Sequence, residues 1–267
     1  MKYIFFLLLI CLFSCNNKQE ETKSTSSDIA SGGTPADEQA LMNDVKQHPD
    51  STILFENLLQ YYKTGGNIDK ALAAINSRQQ TDSLNPRWWD IKSQFYLEKN
   101  DTLRAINSLN KAISIYPEPA YIISLGLLYA YAKNPLALEM ADALIAGSHA
   151  KADKEAYFIK GLYYAYNNEK QKAIPFFDKS LAIDYQFMDA YSQKALAYYD
   201  LQQYENAAKV AEKAVLLQNN FAEGYFILGE SYEKLNRKEE AANAYRSAIL
   251  YDPGFAEAQD ALNKLGQ

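Results

Sequence analysis

Three alanines stand 34 residues apart in this chain: Ala173, Ala207 and Ala241. The same interval separates Tyr164, Tyr198 and Tyr232, and again Tyr157, Tyr191 and Tyr225. Gly161, Ala195 and Gly229 keep it, as do Ser180, Ala214 and Ala248. An aromatic returns where an aromatic stood, and a small residue where a small one stood. Recurrence of residue class at a fixed period marks a stacked repeat, and 34 residues is the period of a helix pair. Each pair leaves an apolar face that only the next pair can cover, so the chain is expected to be an all-α array with a ribbon-like core.

Extending the alanine register gives six repeats, near 52–85, 86–119, 120–153, 154–187, 188–221 and 222–255. Residues within each are numbered from 1 to 34. Positions 4, 7, 8 and 11 form an i, i+3, i+4, i+7 stripe on a first helix. Positions 20, 24 and 27 form the facing stripe on a second. Small residues at 8 and 20 allow close backbone approach, and aromatics fill the space beside them. Turn residues that tolerate left-handed backbone fall between the helices: Gly65-Gly66-Asn67, Asn100-Asp101, Asn167-Asn168 and Asn236.

The sixth repeat reads Tyr225, Gly229, Tyr232, Ala241, Tyr245, Ala248 and Pro253. The fifth reads Tyr191, Ala195, Tyr198, Ala207, Ala211 and Ala214, and the fourth Tyr157, Gly161, Tyr164, Ala173, Phe177 and Ser180. The second reads Trp89, Ser93, Tyr96, Ala105, Leu109, Ala112 and Pro117, and the first Phe55, Leu59, Tyr62, Ala71 and Ile75. This pattern resembles the tetratricopeptide repeat. The resemblance implies a right-handed α-solenoid of about six helix hairpins over 51–267, with capping helices at both ends. The third repeat is degenerate: Leu125-Gly126 falls one residue early, Ala137, Ala141 and Leu144 are out of phase, and the loop from Gly147 to Asp153 restores the register. Thr34-Pro35-Ala36-Asp37 reads as a helix start for an N-terminal cap over 34–50, and 256–266 as a C-terminal cap helix closed by Gly266.

Residues 1–14 read as a secretory signal, with Lys2 followed by an apolar run from Ile4 to Phe13 that is short for a bilayer span. The run ends Leu12-Phe13-Ser14-Cys15, which resembles the lipobox of bacterial lipoproteins, although Phe13 is bulkier than that family prefers. The resemblance implies lipidation of Cys15, and several acyl chains anchor stably where one does not. Residues 15–33 then form a polar, flexible tether. Lys18-Gln19-Glu20-Glu21 resembles the surface-export signals of Bacteroidetes-type lipoproteins. The expected location is the cell envelope, at the outer membrane, on its periplasmic face or at the cell surface.

Charge and chemistry narrow the function. Lys and Arg total 27 against 33 Asp and Glu, a net charge of −6, whereas a nucleic-acid partner asks for a basic face. The two cysteines, Cys11 and Cys15, leave no thiol for a metal site or disulfide in the array, and His48 and His149 stand alone. No phosphate loop, nucleophile–histidine pair or metal spacing is present, so neither an enzyme nor a cofactor is expected.

In the tetratricopeptide family, positions 2, 5, 9, 12 and 13 of the first helices line a concave face. Carried onto this chain, they imply an apolar floor of Ile123, Leu127, Tyr131, Phe158, Leu162, Tyr166, Leu196 and Tyr199. Glu155, Asp189, Asp200, Glu223, Glu230 and Glu233 flank it, with Lys234 nearly alone as a base. Such a groove suits a protein or peptide partner that is apolar and carries basic residues. The function expected is a non-enzymatic, membrane-anchored scaffold for secretion, outer-membrane assembly or cell-wall machinery. The alternatives are a nutrient- or glycan-binding surface lipoprotein and a self-associating structural lipoprotein.

Overall fold

The computed structural model describes residues 34–147 and 152–266. The signal segment, Cys15, the tether and His149 lie outside the described residues. Among the described residues the chain is helical without a strand. The helices are α1 (Pro35–Gln47), α2 (Thr52–Thr64), α3 (Ile68–Thr81), α4 (Pro86–Glu98), α5 (Thr102–Ile115), α6 (Pro119–Tyr131) and α7 (Leu136–Ala146). They continue as α8 (Asp153–Tyr166), α9 (Lys170–Ile183), α10 (Met188–Asp200), α11 (Tyr204–Leu217), α12 (Ala222–Lys234), α13 (Lys238–Tyr251) and α14 (Ala256–Lys264). None of the described helices is long and apolar enough to cross a membrane.

Two compact parts divide at Asn67, the first holding α1 and α2 and the second α3 to α14. In the first, Thr34 and Asp37 form a capping box: the Asp37 amide donates to Thr34 Oγ1 at 3.4 Å, and the Thr34 amide donates to Asp37 Oδ2 at 2.7 Å. These bonds satisfy amide donors that a helix start otherwise leaves unpaired. The Tyr62 hydroxyl donates to Glu38 Oε1 at 3.1 Å and ties α2 to α1.

The second part is an α-solenoid. Hairpins α4/α5, α6/α7, α8/α9, α10/α11 and α12/α13 pack internally, and each first helix from α8 onward also packs on the second helix before it. α6 meets α8 and α10 meets α12, so the first helices line one face of the stack, the inner face. At the C-terminal end, α14 buries Ala258 and Leu262 and stops at Gly266, whose φ is 74°.

The turn inside each hairpin is set by one left-handed residue. Asn100, Asn168, Gln202 and Asn236 have φ between 57° and 64°, and Gly66 has 69°. Just after it, an amide reaches back to the carbonyl of the position-11 tyrosine: Asp101 to Tyr96 at 2.8 Å, Glu169 to Tyr164 at 2.8 Å, and Arg237 to Tyr232 at 2.9 Å. This backbone pairing caps orphan carbonyls at each helix end. In the third repeat the left-handed residue is Lys133, one place earlier than the period requires, and Asn134 bonds to Tyr129.

The hairpins close on small residues. A methyl group added at Gly161 would lie 2.4 Å from Phe177 Cε1, and one at Gly229 would lie 2.5 Å from Tyr245 Cε1. Phe177 and Tyr245 are fully buried. The fifth repeat has Ala195 with Ala211: a methyl group is admitted on the first helix where no ring faces it from the second. Gly229→Ala should therefore lose about 1–3 kcal/mol by overpacking, against the ~1 kcal/mol that alanine gains in an open helix. Tyr245→Leu in that background should restore part of the loss. Urea unfolding of the three variants checks this, and a Gly229→Ala protein more stable than its parent would place the ring elsewhere.

Candidate functional site

The inner face is built from α6, α8, α10 and α12. Ile123, Leu127 and Tyr131 on α6, Tyr166 on α8, and Leu196 and Tyr199 on α10 are half-buried there. Tyr131 and Tyr166 meet edge to face with ring centres 5.1 Å apart. Phe158 and Leu162 depart from the expected floor: Phe158 is buried and Leu162 is fully so. Phe158 packs between Phe177, at 5.9 Å, and Phe187, at 4.9 Å. The sixth repeat repeats this with Phe226 between Tyr245 and Phe255. Position 5 in these repeats therefore points into the core, where the ring covers its own hairpin partner and the loop before the next first helix. Phe187, Phe221 and Phe255 recur at the 34-residue interval, outside the stripes of the two helices, and the recurrence is the sequence's own signal of this packing.

The flanking acids also divide. Asp200 is exposed and pairs with Lys170 at 2.6 Å, and Glu233 is exposed and accepts from the Tyr245 hydroxyl at 2.9 Å. Their charges are engaged on neighbouring helices. Glu155, Asp189, Glu223 and Glu230 are half-buried instead. The first three occupy position 2 of successive repeats, in the first turn of α8, α10 and α12, where an acid also complements the helix dipole. Burial outweighs that effect. It pushes Glu223 up to about 7, with the Asp189 charge adding to the rise and the Ser192 hydroxyl opposing it. Burial also pushes Glu230 to about 7, aided by Glu233, and raises Asp189 and Glu155.

Lys154 stands beside this row but is occupied. It pairs with Asp184 at 2.6 Å and with Glu155 at 3.7 Å. The charges of Asp189 and Glu223, after burial, raise the Tyr131 hydroxyl, and those of Tyr131 and Glu223 raise Tyr166. Side chains from four first helices thus lie within electrostatic reach of one another on the inner face. Ser192, on α10, belongs to this group and was not among the expected site residues. It sits at position 5, where the neighbouring repeats place Phe158 and Phe226.

A separate open cavity of about 570 Å³ lies over α4 and α5, lined by Trp89, Lys92, Tyr96, Arg104, Asn107 and Lys111 among others. Its charge is opposite in sign to the inner face. Among the described residues no cluster of His, Cys, Asp or Glu is arranged to hold a metal ion.

Four segments match family models of the tetratricopeptide repeat: 88–119, 154–187, 189–221 and 222–255. These segments of the chain are tetratricopeptide repeats. No curated protein matches it. Among solved structures, a tetratricopeptide repeat protein from Parabacteroides merdae is similar over 86% of this chain and 91% of its own, at 18% identity and a TM-score of 0.68. PilW, a type IV pilus biogenesis factor, is similar over 79% of this chain and 99% of its own, at 19% identity and a TM-score of 0.64. The Cut9–Hcn1 assembly of the APC/C gives 18% identity and a TM-score of 0.62 over 87% of this chain, which spans 46% of that one. At these identities the likeness is one of fold. Tetratricopeptide repeats make protein-interaction scaffolds, and the inner face is where this array gathers its half-buried aromatic and acidic side chains.

The buried acids make a stability prediction. A carboxyl whose folded pKa is raised binds more protons folded than unfolded. Its contribution to stability therefore falls as pH rises from its ordinary 4.5 through about 7. Glu223→Gln removes the titrating group. At pH 8 the variant should be more stable than the parent by roughly 1–2 kcal/mol, allowing for solvent screening, and at pH 5 the two should unfold alike. Urea titrations at both pH values test it; a difference that does not grow with pH would mean that Glu223 is well hydrated.

Proposed function

We propose that this chain is a non-enzymatic interaction scaffold, anchored to the envelope of a Gram-negative bacterium through lipid on Cys15. In this reading its inner face, over repeats three to six, holds an extended peptide segment with apolar and basic residues. One observation carries the reading. Tyr131, Tyr166, Leu196 and Tyr199 are half-buried apolar surface, and Glu155, Asp189, Glu223 and Glu230 stand half-buried beside them. Apolar contact supplies affinity in such a groove, and charge complementarity supplies selectivity and rate. Secretion, outer-membrane assembly and cell-wall machinery are the settings that fit an anchored scaffold. PilW shows a similar fold in a pilus biogenesis factor.

Two experiments test the proposal. Cys15→Ser should leave the protein unprocessed or soluble, and full membrane retention with the signal cleaved would overturn the lipid anchor. Crosslinking in membranes followed by mass spectrometry should place the partner on the inner face. Tyr166→Ala combined with Leu196→Ala should then weaken capture of that partner by ~2 kcal/mol or more, with helicity retained. Crosslinks confined to the other faces, with capture unchanged in the double variant, would put the interaction surface elsewhere.

A further inference from the structure

The array breaks its own rule at one place on the inner face. Position 5 is Phe158 in the fourth repeat and Phe226 in the sixth, and both rings are buried. In the fifth it is Ser192, which is only 3% exposed. The Ser192 hydroxyl finds no hydrogen-bond partner among the described residues, yet it lies close enough to Glu223 to ease that carboxylate's ionisation. The Tyr166 hydroxyl is likewise buried and without a hydrogen-bond partner among the described residues. Buried polar groups are nearly always paired, so two such hydroxyls beside two carboxylates call for a ligand that donates hydrogen bonds. The rings of Tyr131 and Tyr166 meet with centres 5.1 Å apart and feel the Glu223 charge, and aromatic faces attract cations. Lys154, the adjoining base, is held by Asp184 and Glu155.

We propose that Tyr131, Tyr166, Asp189, Ser192 and Glu223 form a seat for one cationic group of the bound peptide, a lysine ammonium or an arginine guanidinium. The inference rests on the groove reading above and names what its deepest point selects. An ammonium donates three hydrogen bonds and a guanidinium five, enough to satisfy the serine hydroxyl and both carboxylates together. Nothing is transferred covalently.

Filling the seat displaces a proton. Asp189 and Ser192 from α10, Tyr131 from α6 and Tyr166 from α8 face Glu223, and α11 and α13, which also pack on α12, contribute no charge to its shift. An empty seat therefore holds Glu223 partly protonated near pH 7, and a cation favours the carboxylate. Affinity should rise about tenfold between pH 6 and pH 8 and level off above, since one proton with a free-state pKa near 7 is released.

The test uses a labelled peptide alternating leucine with lysine, and a twin with glutamine in place of lysine, titrated by fluorescence anisotropy at pH 6 and pH 8. The lysine peptide should bind the wild-type chain about tenfold more tightly at pH 8 than at pH 6, while the glutamine twin stays weak and indifferent to pH. Glu223→Gln should lose both the lysine preference and the pH dependence while remaining folded. Ser192→Phe, which restores the rule of the neighbouring repeats, should lose the lysine preference. Glu239→Gln, on the first turn of α13, should keep it and so exclude general attraction to an acidic chain. Equal binding of both peptides at both pH values would overturn the cation seat and leave the groove standing. Binding of neither peptide would overturn both.

Discussion

The hairpins of this solenoid depend on one contact, a small residue on the first helix lying against the side chain at position 24 of the second. Gly161 under Phe177 and Gly229 under Tyr245 leave no room for a methyl group. The close approach lets each ring become fully buried and makes it the centre of its hairpin. The rings then extend the contact beyond the hairpin. Phe177 touches Phe158, which touches Phe187 at the entrance to the next first helix, and Tyr245 reaches Phe255 in the same way through Phe226. Local closeness thus passes from the fourth repeat to the start of the fifth, and from the sixth to the C-terminal helix, through aromatic contacts. In a stack where each repeat touches only its neighbours, such contacts supply the coupling between repeats.

The stacking of first helices has an electrostatic consequence. Any residue at position 2 is brought beside its counterparts one repeat away, and here those residues are Glu155, Asp189 and Glu223. On separate helices each would be a favourable first-turn acid. Assembled, they are half-buried; burial raises all three, and the Asp189 charge adds to the rise of Glu223, so the inner face resists full charge near neutral pH. Lys154 offsets part of this for Glu155 and Asp189, whereas Glu223 is left with burial and the Asp189 charge. Asp200 and Glu233 show the contrast, since Lys170 and Tyr245 occupy them.

The third repeat is where local sequence and global period disagree. Its left-handed turn falls on Lys133, one residue early, and Gly126 packs against Met140 of its own hairpin and Ile159 of the next first helix. The slip leaves the stack intact, because α6 still reaches α8. It also carries Tyr131, the last residue of α6, to a place where it meets Tyr166 and feels Asp189 and Glu223 from two later repeats.

The 34-residue recurrence of small and aromatic residues was enough to specify an all-helical stack, because period and residue size are properties of the chain itself. Glycine and asparagine at the turns were equally legible. Gln202 and Lys133 were not, because those side chains do not prefer left-handed backbone and adopt it only where the hairpin demands it. The inner face was legible as a set of helix positions, and half of its meaning was not. Which acids are neutralised, that Phe158 and Leu162 turn inward, and that Ser192 is sealed beside Glu223 depend on helices far apart in sequence. Burial and charge pairing are properties of the packed whole. Only the tertiary structure, by bringing four first helices to one face, decided which of these side chains face one another there.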